Sequence, residues 1–191
     1  MKTILSLCDH TGNWSHPYEE AGYDVVRVDI KDGQDVRLLR HLGYPIRGIL
    51  AAPPCTHFSR AGAWMWEQKG EAALIEGLQI VDACLRAVAI YRPTWWALEN
   101  PIGRLQDYLG PPAWRFDPCD FGDPWTKRTW LWGYFTPPVP LFAPQARKKI
   151  DPIMIGKAGS RDLTTRLGSK QRDRRSATPE GFARAFFEAN P

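Results

Sequence analysis

Short apolar runs that stop abruptly at polar, chemistry-bearing residues constrain this chain more than any other feature. Thr3–Cys8 is stopped by Asp-His-Thr-Gly, and Tyr23–Ile30 is rich in valine and ends in an acid. Gly48–Ala52 runs into Pro53-Pro54-Cys55, and Trp95–Leu98 closes on Glu99-Asn100-Pro101. Runs of this length bounded by turn residues read as buried strands, and Thr129–Gly133 makes a fifth. Between them lie helical stretches. Trp14–Ala21 is closed by Gly22. A longer helix carries Leu74, Leu78, Val81, Leu85 and Val88 at helical spacing. It must end near Tyr91, because Pro93 disfavours helical geometry just before it. Residues 136–160, rich in Pro, Gly and Lys, read as loop. A last helix over Pro179–Glu188 takes Thr178 as N-cap and a proline at its first position. Strands alternating with helices predict an α/β fold with a doubly wound, mostly parallel sheet.

Composition narrows the class. A chain of 191 residues can bury one core without disulfides or metals. The apolar runs Gly48–Pro54 and Pro93–Leu98 are too short to cross a bilayer, and Met1–Cys8 is not a secretory signal. Four cysteines without a close pair exclude a disulfide framework and a structural zinc site, so a cytoplasmic setting with no metal and no membrane is expected. The net charge of +4 is unevenly spread. Residues 143–191 carry 11 Lys/Arg against 5 Asp/Glu, whereas residues 1–142 carry 14 against 16. That division sets a body over 1–142 against a basic, loop-rich segment over 143–191, whether an appendage or part of the same domain. Such a tail suits a polyanionic partner.

In doubly wound sheets the ligand sits outside the carboxyl ends of the strands. The unusual residues all fall there: Asp9–Asn13, Asp29, Pro53–Ser59 and Glu99–Pro101. In Ala-Pro-Pro-Cys-Thr-His-Phe-Ser a rigid turn presents Cys55 just past a strand, where an activated thiolate serves as nucleophile. Cys8, Cys84 and Cys119 read as small buried hydrophobes, and His57 as a structural or solvent-facing residue. Glu99, beside an amide, can grip a donor–acceptor edge such as that of a nucleobase, or sit protonated and donate if desolvated. Trp95, Trp96, Trp130 and Trp132 read as core. Trp64, Trp66 and Trp125 lie in loops near the site, where they can stack on an unstacked base.

Together these residues resemble the cytosine-C5 DNA methyltransferase family, in the short form found in phages and prophages. Pro54-Cys55 with Phe58-Ser59 matches the family's PCxxFS, and Glu99-Asn100 its Glu-Asn pair, with Pro101 where many members have valine. Phe121-Gly122-Asp123-Pro124-Trp125-Thr126-Lys127-Arg128 echoes the family's Tyr-Gly-x-Pro-Gln-x-Arg-x-Arg stretch. The match runs over roughly residues 4–135 in the right order. It implies a Rossmann-like, class I S-adenosylmethionine-dependent methyltransferase fold over 1–142. It also implies cofactor contacts from Leu7, Cys8, Asp9, His10, Thr11, Gly12, Asn13 and Trp14, from Asp29 and Ile30 at the ribose, from Asp35 and Val36 at the adenine, and from Pro53. Cys55, Glu99, Asn100, Lys127 and Arg128 are the implied catalytic set. The implied reaction is methyl transfer to C5 of a flipped-out cytosine in DNA through a Cys55–C6 adduct.

The chain departs from the family twice. Of the glycines in the cofactor loop Phe-x-Gly-x-Gly-Gly only Gly12 remains, with His10 and Asn13 at glycine positions. The large target-recognition domain is also missing. DNA contact then falls to Ser59 and Arg60 and to Arg147, Lys148, Lys149, Lys157, Arg161, Arg166, Lys170, Arg172, Arg174 and Arg175. These position a backbone but specify little sequence, so short or relaxed specificity is expected, unless a partner protein supplies recognition. Two alternatives stand beside this expectation. One is the same chemistry on a free cytosine nucleotide or RNA. The other is a non-catalytic DNA- or cofactor-binding protein on the same fold.

Overall fold

The computed structural model describes residues 2–123, 126–141 and 176–191. Six strands form one mixed sheet: β1 (Thr3–Leu7), β2 (Asp24–Val28), β3 (Gly48–Ala51), β4 (Trp95–Pro101), β5 (Trp114–Phe116) and β6 (Thr129–Tyr134), in the order β2-β1-β3-β4-β6-β5. The β2-β1-β3-β4 half is parallel, whereas β6 pairs antiparallel with both β4 and β5. The change of direction at β4 matters for the site. Pairing with β3 ends at Ala51↔Leu98, but β6 continues to hold Glu99, Asn100 and Pro101 opposite Leu131, Trp130 and Thr129. Glu99 and Asn100, expected just past the strand, therefore lie inside it. They are fixed by β6 on one side, while on the other β3 has already turned away.

The first helix, α1, covers His16–Glu20, and α2 covers Trp66–Tyr91 with one non-helical residue, Gly70 (φ 70°). A short α3 (Gln106–Leu109) precedes β5, and α4 (Glu180–Ala189) ends the chain. Thr178 was expected to cap α4. Instead Pro179 stands at the N-cap without a side-chain bond, and the Thr178 carbonyl accepts from Asn13 Nδ2 at 3.2 Å. A β-strand over Trp114–Phe116 was not expected, because three residues are too few to show a period.

Alternate residues of the buried strands feed opposite faces. Leu5, Leu7, Ile49 and Leu98 meet Val81, Cys84 and Ala87 of α2 in an aliphatic core. Ile4, Leu50 and Trp95 face Trp14, Tyr18, Phe182 and Phe186 from α1, α4 and their flanks in an aromatic one. Phe116 stacks on Phe182 with ring centroids 4.0 Å apart. The Tyr18 hydroxyl donates to the Asn190 carbonyl at 2.9 Å, and the Asn190 amide pairs with both backbone groups of Thr136. Burying Phe182 and Phe186 stabilises the fold by about 1.5–3 kcal/mol each, so α4 is integral to the sheet's second face. Trp95, Trp130 and Trp132 are buried and Trp96 half-buried against the aliphatic core, as expected. Cys84 and Cys119 are buried as expected, whereas Cys8 is only half-buried because the end of β1 brings it to the cleft, and none of the four cysteines forms a disulfide.

Candidate functional site

A cleft of about 240 Å³ opens at the carboxyl ends of β1, β2, β3 and β4. One side begins where Pro53 and Pro54 end β3 and Cys55–His57 make one 3-10 turn. The amides of Phe58 and Ser59 donate to the Cys55 carbonyl at 3.0 and 2.8 Å. Phe58 is fully buried and plugs the turn against Gly77 of α2, where a Cβ would come within 2.9 Å of its ring. From β4, Asn100 Nδ2 donates to the Pro53 carbonyl at 2.9 Å. Cys55 and Thr56 are thereby presented on the cleft wall.

Glu99 faces the same cleft at 7% exposure. Lys127, just before β6, donates to Glu99 Oε1 at 3.4 Å and also lines the cleft. Of the two basic candidates the geometry thus selects Lys127. Arg128 is exposed and does not line the cleft, and its carbonyl accepts the Ile102 amide at 3.0 Å. Asn100 is fully buried behind Pro53 and positions the turn. His57 is half-buried, and burial followed by the Lys69 charge holds its imidazole below the usual range, which fits a structural role.

The other side is held by carboxylates. Cys8, at the end of β1, adopts φ 59°, and its amide donates to the Val28 carbonyl at 2.8 Å. Asp9 is buried and accepts from Ser6 Oγ at 2.9 Å, from Ser15 Oγ at 3.0 Å and from the Ser15 amide at 3.3 Å. Burial pushes its carboxyl above the ordinary range, against the pull of those hydrogen bonds. Asp29 accepts the His10 amide at 3.1 Å on one oxygen and the Lys31 amide at 2.8 Å on the other. His10 Nδ1 lies 3.0 Å from Asp32 Oδ1. Ligand atoms of His10, Asp29 and Asp32 all fall within 4.8 Å of one another, close enough for a cation, but each is already engaged. Gly12 has φ 70°, and a Cβ there would collide with the Arg27 guanidinium.

Cys8, Asp9, His10, Thr11, Asp29, Ile30 and Pro53 line the cleft together with Cys55, Glu99 and Lys127. Other expected contacts lie elsewhere. Leu7 and Trp14 are fully buried in the two cores, and Val36 is buried beside α2. Gly12 and Asn13 stand outside the cleft wall. Asp35 is occupied by Arg37, whose hydrogen bonds hold its carboxyl below the usual range. Ser59 accepts the Ala61 amide at 3.3 Å as a local cap, and Arg60 is exposed. Trp64 is exposed, and Trp66 starts α2 under the Arg104 guanidinium at 4.5 Å. Trp125 and Arg147, Lys148, Lys149, Lys157, Arg161, Arg166, Lys170, Arg172, Arg174 and Arg175 lie outside the described residues. Sequence reasoning missed Lys31, Ser176 and Thr178 as cleft residues. Thr178 is brought there by Asn13, 165 positions away, and no local pattern announces such a contact.

This is a Rossmann-like α/β fold with its ligand cleft at the expected edge. No family model and no curated protein sequence matches the chain. Among solved structures it is similar to a protein described as a DNA modification methyltransferase encoded within a prophage (E. coli), with a TM-score of 0.52 at 19% identity. The likeness covers 70% of this chain and 47% of the other, so the chain spans about half the length of that protein. No helix among the described residues is long and apolar enough to cross a membrane.

Proposed function

We propose that the chain is an S-adenosylmethionine-dependent methyltransferase that acts on C5 of cytosine in DNA. The observation that carries this reading is one cleft in which Cys55, Glu99 and Lys127 meet, with the Asp9–Asp29 frame across from them. The likeness in fold to a DNA modification methyltransferase agrees with it.

The donor set fits the cofactor. Asp29 keeps acceptor capacity beyond its two amide bonds and suits a ribose diol. Cys8–Thr11 and Ile30 supply backbone and small side chains around it. When bound, the cofactor supplies an electrophilic methyl group.

The Cys55 thiolate adds to C6 of the cytosine, forming the S–C6 bond and moving electron density to C5 and N3. Glu99 meets the N3 side, where a proton or hydrogen bond relieves the developing charge, an effect of order 10²–10⁴ in rate. Lys127, already beside Glu99, holds the base carbonyl, which gains charge in the same step. Methyl transfer to C5 leaves S-adenosylhomocysteine as the departing group; water then takes the C5 proton, the C5–C6 double bond re-forms and the S–C6 bond breaks, returning the thiolate. A cytosine inside a duplex must be flipped out to reach Cys55.

The test measures labelled methyl transfer from S-adenosylmethionine to duplex DNA, with Cys55→Ser beside the wild type. RNA and dCMP serve as alternative acceptors. Label at cytosine C5 from the wild type alone is the expected result. A 5-fluorocytosine at the target, having no proton to lose, should leave a covalent complex visible by mass. Label on dCMP or RNA but not DNA shifts the acceptor, and cofactor binding without transfer to any acceptor overturns the reading.

A further inference from the structure

The two segments that leave the cleft run side by side. Cys55 leads to Arg60 and Glu99 leads to Arg104, and between them the Arg60 amide donates to the Ile102 carbonyl and the Arg104 amide to the Phe58 carbonyl, both at 2.9 Å. Ser59 and Gly103 form an antiparallel bridge. A Cβ on Gly103 would collide with the Phe58 carbonyl, so glycine permits this approach. The antiparallel pairing sets Arg60 opposite Ile102 and Arg104 opposite Phe58, one on each side of the Ser59–Gly103 bridge, on the segments that begin at Cys55 and Glu99.

Both arginines border a second pocket of about 280 Å³, lined by Arg60, Trp66, Arg104, Gln106, Asp107 and Trp130 among others. The Arg104 guanidinium lies over the Trp66 ring at 4.5 Å, and its Nε donates to the His57 carbonyl at 2.8 Å. Its buried Nη2 and the buried Trp66 Nε1 have no acceptor among the described residues. A guanidinium donor removed from water and left unmatched is costly, and a planar fork held on an aromatic face is preorganised for a phosphate. Arg60, exposed on the neighbouring segment, adds a second cation. Among the described residues Asp107 is the one acid on the wall, and their lining is net positive.

We propose that this pocket holds a phosphate of the strand that carries the target base. Arg60 and Arg104 supply the donors, and Trp66 is the platform that keeps Arg104 in place. The identity of the strand rests on the reading under Proposed function. Five residues of chain span at most about 17 Å, and phosphates recur about every 3.4 Å along each strand of a duplex. The phosphate held therefore lies within about five of the target nucleotide. The ladder ties the backbone grip to the base site, so register on the strand is transmitted directly to Cys55.

The test uses the full chain and a fluorescent 14-mer duplex with one central cytosine, read by anisotropy over a salt series. A set of duplexes carries one neutral methylphosphonate at each of the five phosphates on either side of that cytosine. One position should weaken wild-type binding about tenfold, as loss of a charge-assisted contact does. The same position should leave Arg60→Gln and Arg104→Lys almost indifferent. Arg60→Gln should also lower the slope of log affinity against log salt by about 0.9. Arg104→Lys keeps the charge but not the fork; should it fail to fold, exposed Arg60 still decides the matter. A purely structural role for these arginines would move neither the slope nor the positional pattern. Equal weakening of wild type and variants at every position overturns the proposal, as does absence of duplex binding. Binding needs no methyl transfer, so positional coupling without transfer leaves the pocket standing and removes the cytosine reading. Transfer without coupling does the reverse.

Discussion

In the lip of the cleft formed by 53–60 and 99–104, the acceptors that hold the turn of Cys55 are backbone carbonyls. Carbonyls of Pro53, Cys55, Phe58 and Ile102 take hydrogen bonds, and Gly77 and Gly103 let neighbours come close. Across from it, in 8–13 and 29–32, the frame is made of carboxylates. Asp9 gathers two serines, Asp29 takes two amides, and Asp32 meets His10. Backbone bonds fix where a nucleophile stands to a fraction of an ångström, as bond formation demands. Carboxylates tolerate a looser fit and can pass acceptor capacity to a ligand.

Substitutions can break that comparison at either lip. The largest effect is expected from Cys55→Ser, which should remove methyl transfer by on the order of 10³-fold or more while leaving cofactor binding by calorimetry unchanged. Glu99→Gln comes next: it keeps a polar group opposite Lys127 but loses the acid, and single-turnover rates should fall by about 10²–10⁴-fold. On the other lip, Asp29→Ala should weaken cofactor binding by about 10–100-fold, the scale of a charge-assisted hydrogen bond, with little change in transfer at saturating cofactor. Equal loss of rate and affinity in that variant would show the lips to be one unit. Gly103→Ala should cost about 1–3 kcal/mol through the clash with Phe58, seen as a lower thermal midpoint and a displaced Cys55.

The smallest effect lies outside both lips. Burial first, and the Glu180 charge second, raise the Asp123 carboxyl from its ordinary 3.8 to about 6. The folded chain therefore holds that proton more tightly than the unfolded one, and this group's contribution to stability falls as pH rises from about 4 to 6. Asp123→Asn, which can still accept the Gly181 amide, should raise the thermal midpoint at pH 7 by a few degrees and flatten its dependence across that window. Cleft chemistry should not change, and a shift in cofactor affinity would show that the start of α4 is coupled to the cofactor lip.

Much of the site was legible in the sequence where a pattern and its consequence lie within a few residues. Pro53-Pro54-Cys55 announces its own turn, Asp29 stands at the end of a valine-rich strand, and both line the cleft. Legibility failed where burial chose among similar residues. Lys127 and Arg128 are adjacent and equally basic, but β6 turns only Lys127 toward Glu99. Asp35 matches an adenine contact by position, yet Arg37, two residues on, has taken it. Trp14 sits in the cofactor loop by sequence and in the aromatic core by structure, where Phe182 and Phe186 cover it.

The sequence by itself determined the α/β alternation, the strand ends and the turn that presents Cys55, because each depends on periodicity and on proline and glycine constraints among near neighbours. Only the tertiary structure decided that Glu99 lies inside an antiparallel extension of β4, that Thr178 borders the cleft, and that Arg60 and Arg104 stand together. Those outcomes are contacts between residues from 28 to 165 positions apart, as between Glu99 and Lys127 or Asn13 and Thr178. Packing of the whole sheet sets them, and no local propensity carries that information.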